Sequence, residues 1–230
     1  MQTTVLQFDC ITPAGTDSRT MVVKSLVIGG WTARDEAAVH HHIEELKAIG
    51  VPAPSKTPLF YMAAVNQVLQ ADTMQVVGPH TSGEAEFVLV AMDGELWMTA
   101  GSDHTDRKTE AYSVAISKQV SAKMIGRTLW RVSDVLAHWD KLVLRSHIVE
   151  GGKRVAYQDG TLAAMRPHHD IIGKYTSTGK LVEGTIMYCG TLAAIGGVRP
   201  APRFEMELHD PVLGRSIALA YNVEDLDLVA

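Results

Sequence analysis

Two glutamates one residue apart, Glu84 and Glu86, are the first groups in this sequence with the makings of a reactive site. In an extended strand, side chains two apart share a face, so both carboxylates project together while Ala85 and Phe87 enter the opposite layer. Charges held this close repel and raise each other's pKa unless a cation neutralises them, which suits an oxygen-preferring divalent ion, Mg²⁺ or Mn²⁺ and also Ca²⁺. The competing explanation of the pair is a solvated strand face. Asp103 favours the metal: the tight hairpin turn expected at Asp93-Gly94 doubles the chain back and returns Asp103 to the strand end where Glu84 and Glu86 begin.

His40-His41-His42 and His168-His169-Asp170 form a rival set, since imidazoles beside carboxylates bind zinc or iron. Consecutive helical positions point in different directions, so three adjacent histidines cannot chelate one ion from one helix. A zinc hydrolase of that kind would need His40 or His41, rather than Glu84 and Glu86, on the metal. Taken singly, His42 reads as a helix-surface histidine, Lys118 as a solvated lysine, Arg107 as a partner of Asp106 or Asp103, and Thr191 as a turn hydroxyl.

The elements that must position these groups are mostly strands. Thr4 to Ile11 and Met21 to Ile28 are rich in β-branched and apolar residues around a turn containing Pro13, Gly15 and Asp17. Thr32 to Ile49 has apolar residues Ala37, Ala38, Ile43 and Leu46 near helical spacing, a capping Thr32 and a terminal Gly50. Pro52, Pro54 and Pro58 then enforce extended chain before a strand from Leu59 to Met62. Glu84 to Met92 and Glu95 to Thr99 are the hairpin arms. A short helix from Val132 to His138, strands from Leu142 to Val149 and Lys153 to Tyr157, and a helix from Ala163 to Lys174 follow. Three apolar runs, Leu181 to Tyr188, Phe204 to Leu208 and Ser216 to Val223, complete the chain.

With these residues in place, the sequence resembles the fumarylacetoacetate hydrolase superfamily, whose metal site pairs an E-x-E strand with the Asp of an N-D-x-S-A-R motif. The counterparts are Glu84-Ala85-Glu86 and Ser102-Asp103-His104-Thr105-Asp106-Arg107. The family's lid-helix H-x-x-E is matched by His42-Ile43-Glu44-Glu45, its proline-flanked strand by Pro58-Leu59-Phe60, and its downstream lysine by Lys118. Its G-T-P-x-G-V-G loop has a degenerate echo in the run from Gly190-Thr191 to Gly196-Gly197, preceded by Val182-Glu183-Gly184-Thr185-Ile186. The likeness covers residues 28 to 223 in order. Ser102 stands where the family has Asn, Thr105-Asp106 where it has Ser-Ala, and the G-T loop lacks its proline, as in a compact, divergent bacterial branch.

The resemblance implies an α+β, mostly β fold: a mixed β-roll with a lid helix, forming one catalytic domain over residues 1 to 230 and pairing as a homodimer. It implies metal ligation by Glu84, Glu86 and Asp103. His42 and Glu45, one helical turn apart, become a water-activating pair on a mobile lid. Lys118 is placed beside the metal or one layer behind it, and Arg107, Gly190 and Thr191 become substrate contacts, with Gly190 allowing close backbone approach. The implied reaction stabilises the enolate of a small 2-oxo or β-diketo acid: hydrolysis of an acylpyruvate if water is activated, otherwise decarboxylation, isomerisation or dehydration. A binding module that kept the fold but lost turnover is a further alternative.

Composition narrows the partners. A net charge of -5, with 21 basic and 26 acidic residues scattered along the chain, gives no footprint for nucleic acid. The start, Met1-Gln2-Thr3-Thr4, has no basic segment leading an apolar core, and no apolar run approaches the ~20 residues of a membrane span. A cytoplasmic protein is expected, with no membrane contact. Cys10 and Cys189 lie far apart in no C-x-x-C pair and are expected as buried free thiols.

Overall fold

The computed structural model describes residues 4–48 and 53–229. Met1, Gln2, Thr3, Ile49, Gly50 and Pro52, which enter the sequence reading, lie outside the described residues. So do the side chains of Ala38, His42, Glu45 and Leu46 within the first helix.

The chain opens with β1 (Thr4–Thr12), β2 (Gly15–Val23) and β3 (Ser25–Gly30), passes through helix α1 (Glu36–Ala48) and adds β4 (Leu59–Ala63). Short strands β5 (Val68–Leu69), β6 (Thr73–Val77) and β7 (Thr81–Ser82) lead into the hairpin of β8 (Ala85–Met92) and β9 (Glu95–Ser102). After β10 (Thr105–Asp106) come α2 (Arg107–Glu110), α3 (Val114–Val120), β11 (Lys123–Ile125) and β12 (Thr128–Arg131). Strands β13 (Val143–Glu150) and β14 (Lys153–Thr161), helix α4 (His168–Tyr175), and strands β15 (Thr185–Thr191), β16 (Arg203–Asp210) and β17 (Arg215–Leu226) finish the fold.

Two main sheets result. The larger has the order β2-β1-β12-β9-β8-β15-β3-β4, with β11 and β5 attached at β9. It curls so that strands from both ends enclose one apolar core containing Leu6, Met21, Ile28, Tyr61, Val88 and Trp97. The second sheet, β14-β13-β16-β17-β6, supplies Leu144, Phe204, Leu208 and Tyr221 to another core shared with Phe87, Leu89 and Met98 of the hairpin. Strand β8 is therefore buried on both faces, its alternate residues feeding alternate cores, and every position from Ala85 to Met92 is buried. This is the mostly-β roll with an added helix that the motifs imply.

Several elements differ from the sequence reading for local reasons. Met21 to Ile28 is not one strand: after Val23 the amides of Lys24 and Ser25 turn to the Gly184 carbonyl, and β3 pairs parallel with β15 instead of β1. Helix α1 starts at Glu36, with Asp35 Oδ1 accepting the Ala37 N–H at 3.0 Å, so Asp35 performs the capping expected of Thr32. Val132 to His138 forms 3₁₀ turns rather than a helix. The expected helix from Ala163 is interrupted at Pro167, which holds its predecessor extended, and α4 begins at His168. Cys10 and Cys189 are buried free thiols, as anticipated. No described helix is long and apolar enough to cross a membrane.

Candidate metal centre

The hairpin behaves as its turn residues require. Asp93 and Gly94 both take positive φ, 56° and 72°, the pattern of a two-residue type I′ turn. The register it sets pairs Ala85 with Ser102 and Glu86 with Gly101, and the Asp103 N–H donates to the Glu84 carbonyl at 3.0 Å. Strand alternation aims Glu84 and Glu86 the same way, and one carboxylate oxygen from each of Glu84, Glu86 and Asp103 lies within 4.8 Å of the others.

Three cations close around two of these acids. Lys118 Nζ, on α3, stands 2.5 Å from Glu84 Oε2 and 2.7 Å from Asp103 Oδ2, and donates to Thr105 Oγ1 at 3.0 Å. Arg107, at the start of α2, donates to Glu84 Oε1, Glu110 Oε2 and Ser82 Oγ at 2.9, 2.8 and 2.7 Å. It pairs with neither Asp106 nor Asp103, the partners expected from sequence proximity. Asp106 instead caps α2, accepting the Thr109 N–H. Lys123, wholly buried on β11, lies 2.8 Å from Asp103 Oδ1 and donates to the His104 carbonyl at 2.6 Å.

Among the described residues, no such cation pairs with Glu86. Glu86 is 2% exposed, and its Oε2 accepts the Gly190 N–H at 2.6 Å. That contact depends on β15, whose register against β8 shifts between Tyr188 and Thr191 and turns the Gly190 amide inward. Gly190 adopts φ 101°, and a Cβ there would sit 1.7 Å from Thr32 Oγ1, so only glycine fits. Thr191 Oγ1 donates to the Ala85 carbonyl at 2.7 Å and accepts from Gln158 Nε2 at 2.6 Å. Gln158 also accepts the Ala85 N–H at 3.0 Å, fastening the β8 end to β15.

The electrostatics follow from this geometry. Burial pushes the Glu84 carboxyl up, but Lys118 and Arg107 outweigh it and hold the group well below the usual range. Burial, reinforced by the charges of Asp103 and Glu84, drives Glu86 well above it. Lys118 is held above its ordinary value because Asp103 and Glu84 outweigh the cost of burial, while burial pulls Lys123 below its own. His104, buried between Tyr221 Oη and Thr81 Oγ1, is lowered to about 3 by burial and by the nearby Lys123 and Arg107.

A cavity of about 710 Å³ opens above the site, lined by Glu84, Glu86, Arg107, Lys118, Gly190 and Thr191 among others. Six of the residues singled out from sequence therefore share one cavity, with Asp103 buried behind it. The His42 and Glu45 side chains lie outside the described residues, although their backbone belongs to α1 and Val39 of that helix touches the cavity. His168 stands away from the acids: its ring packs 4.7 Å from Trp139 and is lowered to about 4 by burial and by His169. Among the described residues, no cluster combines the histidines into a metal site.

A dication that prefers oxygen ligands fits the acids. Both Asp103 oxygens are buried and accept no aligned hydrogen bond despite the lysines beside them, which leaves lone pairs available. The donors are all carboxylate oxygens, the set that selects hard ions. Sequence inspection missed Lys123 and Gln158. Neither carries a local signal, because a lysine in a three-residue strand and a glutamine on a long strand acquire meaning only from what they face.

Lys123 tests the site's internal balance. Lys123→Met should leave Asp103 short of a counter-charge and the His104 carbonyl without its donor. Removing one partner of a buried pair costs about 3–5 kcal/mol. For a chain of this length that corresponds to a fall in melting temperature of roughly 6–20 °C, measured by calorimetry. A change within 2 °C would show that Lys118 alone balances Asp103.

Comparison with known proteins agrees with this architecture. Cg1458 with inhibitor superposes with a TM-score of 0.66 at 19% identity, over 91% of this chain and 81% of that one. The 2-keto-3-deoxy-D-arabinonate dehydratase complexed with magnesium and 2,5-dioxopentanoate gives 0.61 at 16%, over 91% and 77%. Yeast ynq8, a fumarylacetoacetate hydrolase family protein, gives 0.61 at 14%, over 88% and 93%. No curated protein sequence matches the chain. Residues 29–221 match the family model described as protein of unknown function (DUF2848). The chain thus belongs to that family and carries the fumarylacetoacetate hydrolase fold.

Proposed function

We propose that this protein is a divalent-metal-dependent enzyme acting on a small 2-oxo or β-diketo acid, with hydrolytic C–C cleavage of an acylpyruvate-type substrate as its reaction. The observation that carries this reading is the convergence of Glu84, Glu86 and Asp103 within 4.8 Å at the edge of a substrate-sized cavity. These residues would hold Mg²⁺ or Mn²⁺, with Ca²⁺ a further fit, and a bound ion of this kind supplies Lewis-acid stabilisation of negative charge developing on the acid.

The chain's own groups do the rest. Lys118 and Arg107 fix the rotamers of Glu84, and Lys118 and Lys123 fix Asp103, so the acids are organised before a ligand arrives. Gly190 and Thr191 form the adjoining wall, where the glycine lets a substrate carboxylate come close to the backbone. His42 and Glu45 on α1 are assigned proton transfer, together activating the attacking water. A homodimer belongs to the same reading.

Dehydration or decarboxylation of a 2-oxo acid on the same groups is the second reading, supported by the likeness to a 2-keto-3-deoxy-D-arabinonate dehydratase. Purified protein with Mg²⁺ or Mn²⁺, assayed against acylpyruvates, oxaloacetate and 2-oxo-3-deoxy acids, decides between them. Metal-dependent release of pyruvate and a carboxylic acid from an acylpyruvate is expected. Turnover confined to the 2-oxo-3-deoxy acids would shift the assignment to a dehydratase, and no turnover of any oxo acid would end the reading.

A further inference from the structure

The cavity wall is chemically lopsided. Its cations among the described lining residues are Arg107 and Lys118, and both are committed to Glu84. The acids Glu84, Glu86 and Glu110 occupy the same end, with Glu110 bound to Arg107. Arg199, whose guanidinium lies 5.3 Å over the Tyr157 ring, is held by Glu150 and by the carbonyls of Ile195 and Gly197. The rest of the lining is neutral and largely apolar, with Trp31, Tyr61, Tyr157 and Leu192 as its larger members.

Trp31 is the most constrained of these. It is held at φ 61°, a conformation costly for a bulky residue and one that persists only where the surroundings impose it. Its indole N–H donates to the Tyr61 hydroxyl at 3.3 Å, so the two rings form one surface with its polar atoms turned to each other. The cavity's 710 Å³ lies within the range of sites for drug-sized ligands, ~300–1,000 Å³, and far exceeds what a compact five-carbon acid fills.

We infer that the substrate is a monocarboxylate: a 2-oxo acid whose far end is an uncharged, apolar group packed on the wall formed by Trp31, Tyr61 and Val114. The inference rests on the oxo-acid reading above and adds the nature of the tail. A dicarboxylate would bring its second charge out of water onto a largely apolar wall with no uncommitted cation among the described residues. An apolar tail meets no such penalty and removes its own surface from water.

Two inert oxamates of matched shape test this: N-isobutyloxamate, with an apolar tail, and N-oxalylglycine, with a carboxylate in the same place. Each is titrated calorimetrically into the full chain in the presence of Mn²⁺. N-isobutyloxamate should bind ~10-fold or more tightly than N-oxalylglycine, the discrimination expected of an apolar pocket. Equal or tighter binding of N-oxalylglycine would overturn the inference. If neither binds while Mn²⁺ itself does, the oxo-acid reading falls instead, and the two failures are told apart. Trp31→Gly relieves the backbone conformation and removes the wall, so its preference for the apolar ligand should shrink by ~10-fold. Full retention of that preference, with the circular dichroism spectrum unchanged, would overturn the assignment of the tail to this wall.

Discussion

Glu86→Gln should abolish divalent-cation binding and every activity of this site while leaving the metal-free fold intact. Glu84 is balanced by Lys118 and Arg107, and Asp103 by Lys118 and Lys123, so Glu86 is the acid of the three with no cation within ion-pair distance among the described residues. A dication bound here would displace the proton that Glu86 holds in the metal-free chain and supply the counter-charge that Glu84 and Asp103 already have. Groups that merely orient a metal ligand change affinity by ~10–100-fold when removed, and loss of a ligand's charge should cost at least the upper end of that range. Glutamine keeps the shape of glutamate and an oxygen able to accept the Gly190 N–H.

The pH dependence of stability separates this effect from simple damage. Glu86 in the folded chain is raised well above its ordinary value of 4.5, by burial first and by Asp103 and Glu84 second. Above that ordinary value the folded state therefore holds a proton that the unfolded state has released, and metal-free stability falls as pH rises toward the folded pKa. Glu86→Gln removes this term. In chelator, the variant should gain on the wild-type protein between pH 5 and pH 8, followed by denaturant titration at each pH. Calorimetric titration with Mn²⁺ should show no saturable binding. Retained Mn²⁺ affinity in the variant would remove Glu86 from the site, whatever happened to activity.

His42→Ala should divide two activities that Glu86→Gln abolishes together. If His42 deprotonates water, its loss removes general-base catalysis, typically ~10²- to 10⁴-fold, from acylpyruvate hydrolysis. Proton exchange at the carbon next to the keto group of a 2-oxo acid, followed by NMR in deuterated water, should persist in the presence of Mg²⁺, because Glu84, Glu86 and Asp103 are untouched. Equal loss of both activities with unchanged metal affinity would contradict the water-activating role. It would favour an isomerase, dehydratase or decarboxylase in which His42 moves the substrate proton itself.

Local sequence suffices to specify the hairpin and the acids it carries. Asp93-Gly94 specifies a turn whose positive φ values few other pairs tolerate, period-two alternation aims Glu84 and Glu86 together, and the arm lengths return Asp103 to their side. These are short-range constraints, legible in about twenty residues. The order of the motifs likewise announced the fold that the solved structures share.

The charge balance of the site arises from long-range packing. Lys123 reaches Asp103 because β11 pairs with β9, and Gln158 reaches Ala85 and Thr191 because the second sheet packs against the hairpin. Arg107 takes Glu84 rather than the acid beside it in the chain, since Asp106 is spent as a helix cap. Gly190 presents its amide to Glu86 through a register shift in β15 that follows no local pattern. Pairing, capping and charge balance of this kind depend on which strands become neighbours across distances of tens to a hundred residues. Even where the partners lie about twenty residues apart, no local pattern marks them as partners, so the convergence of the acids was visible in advance and their neutralisation was not.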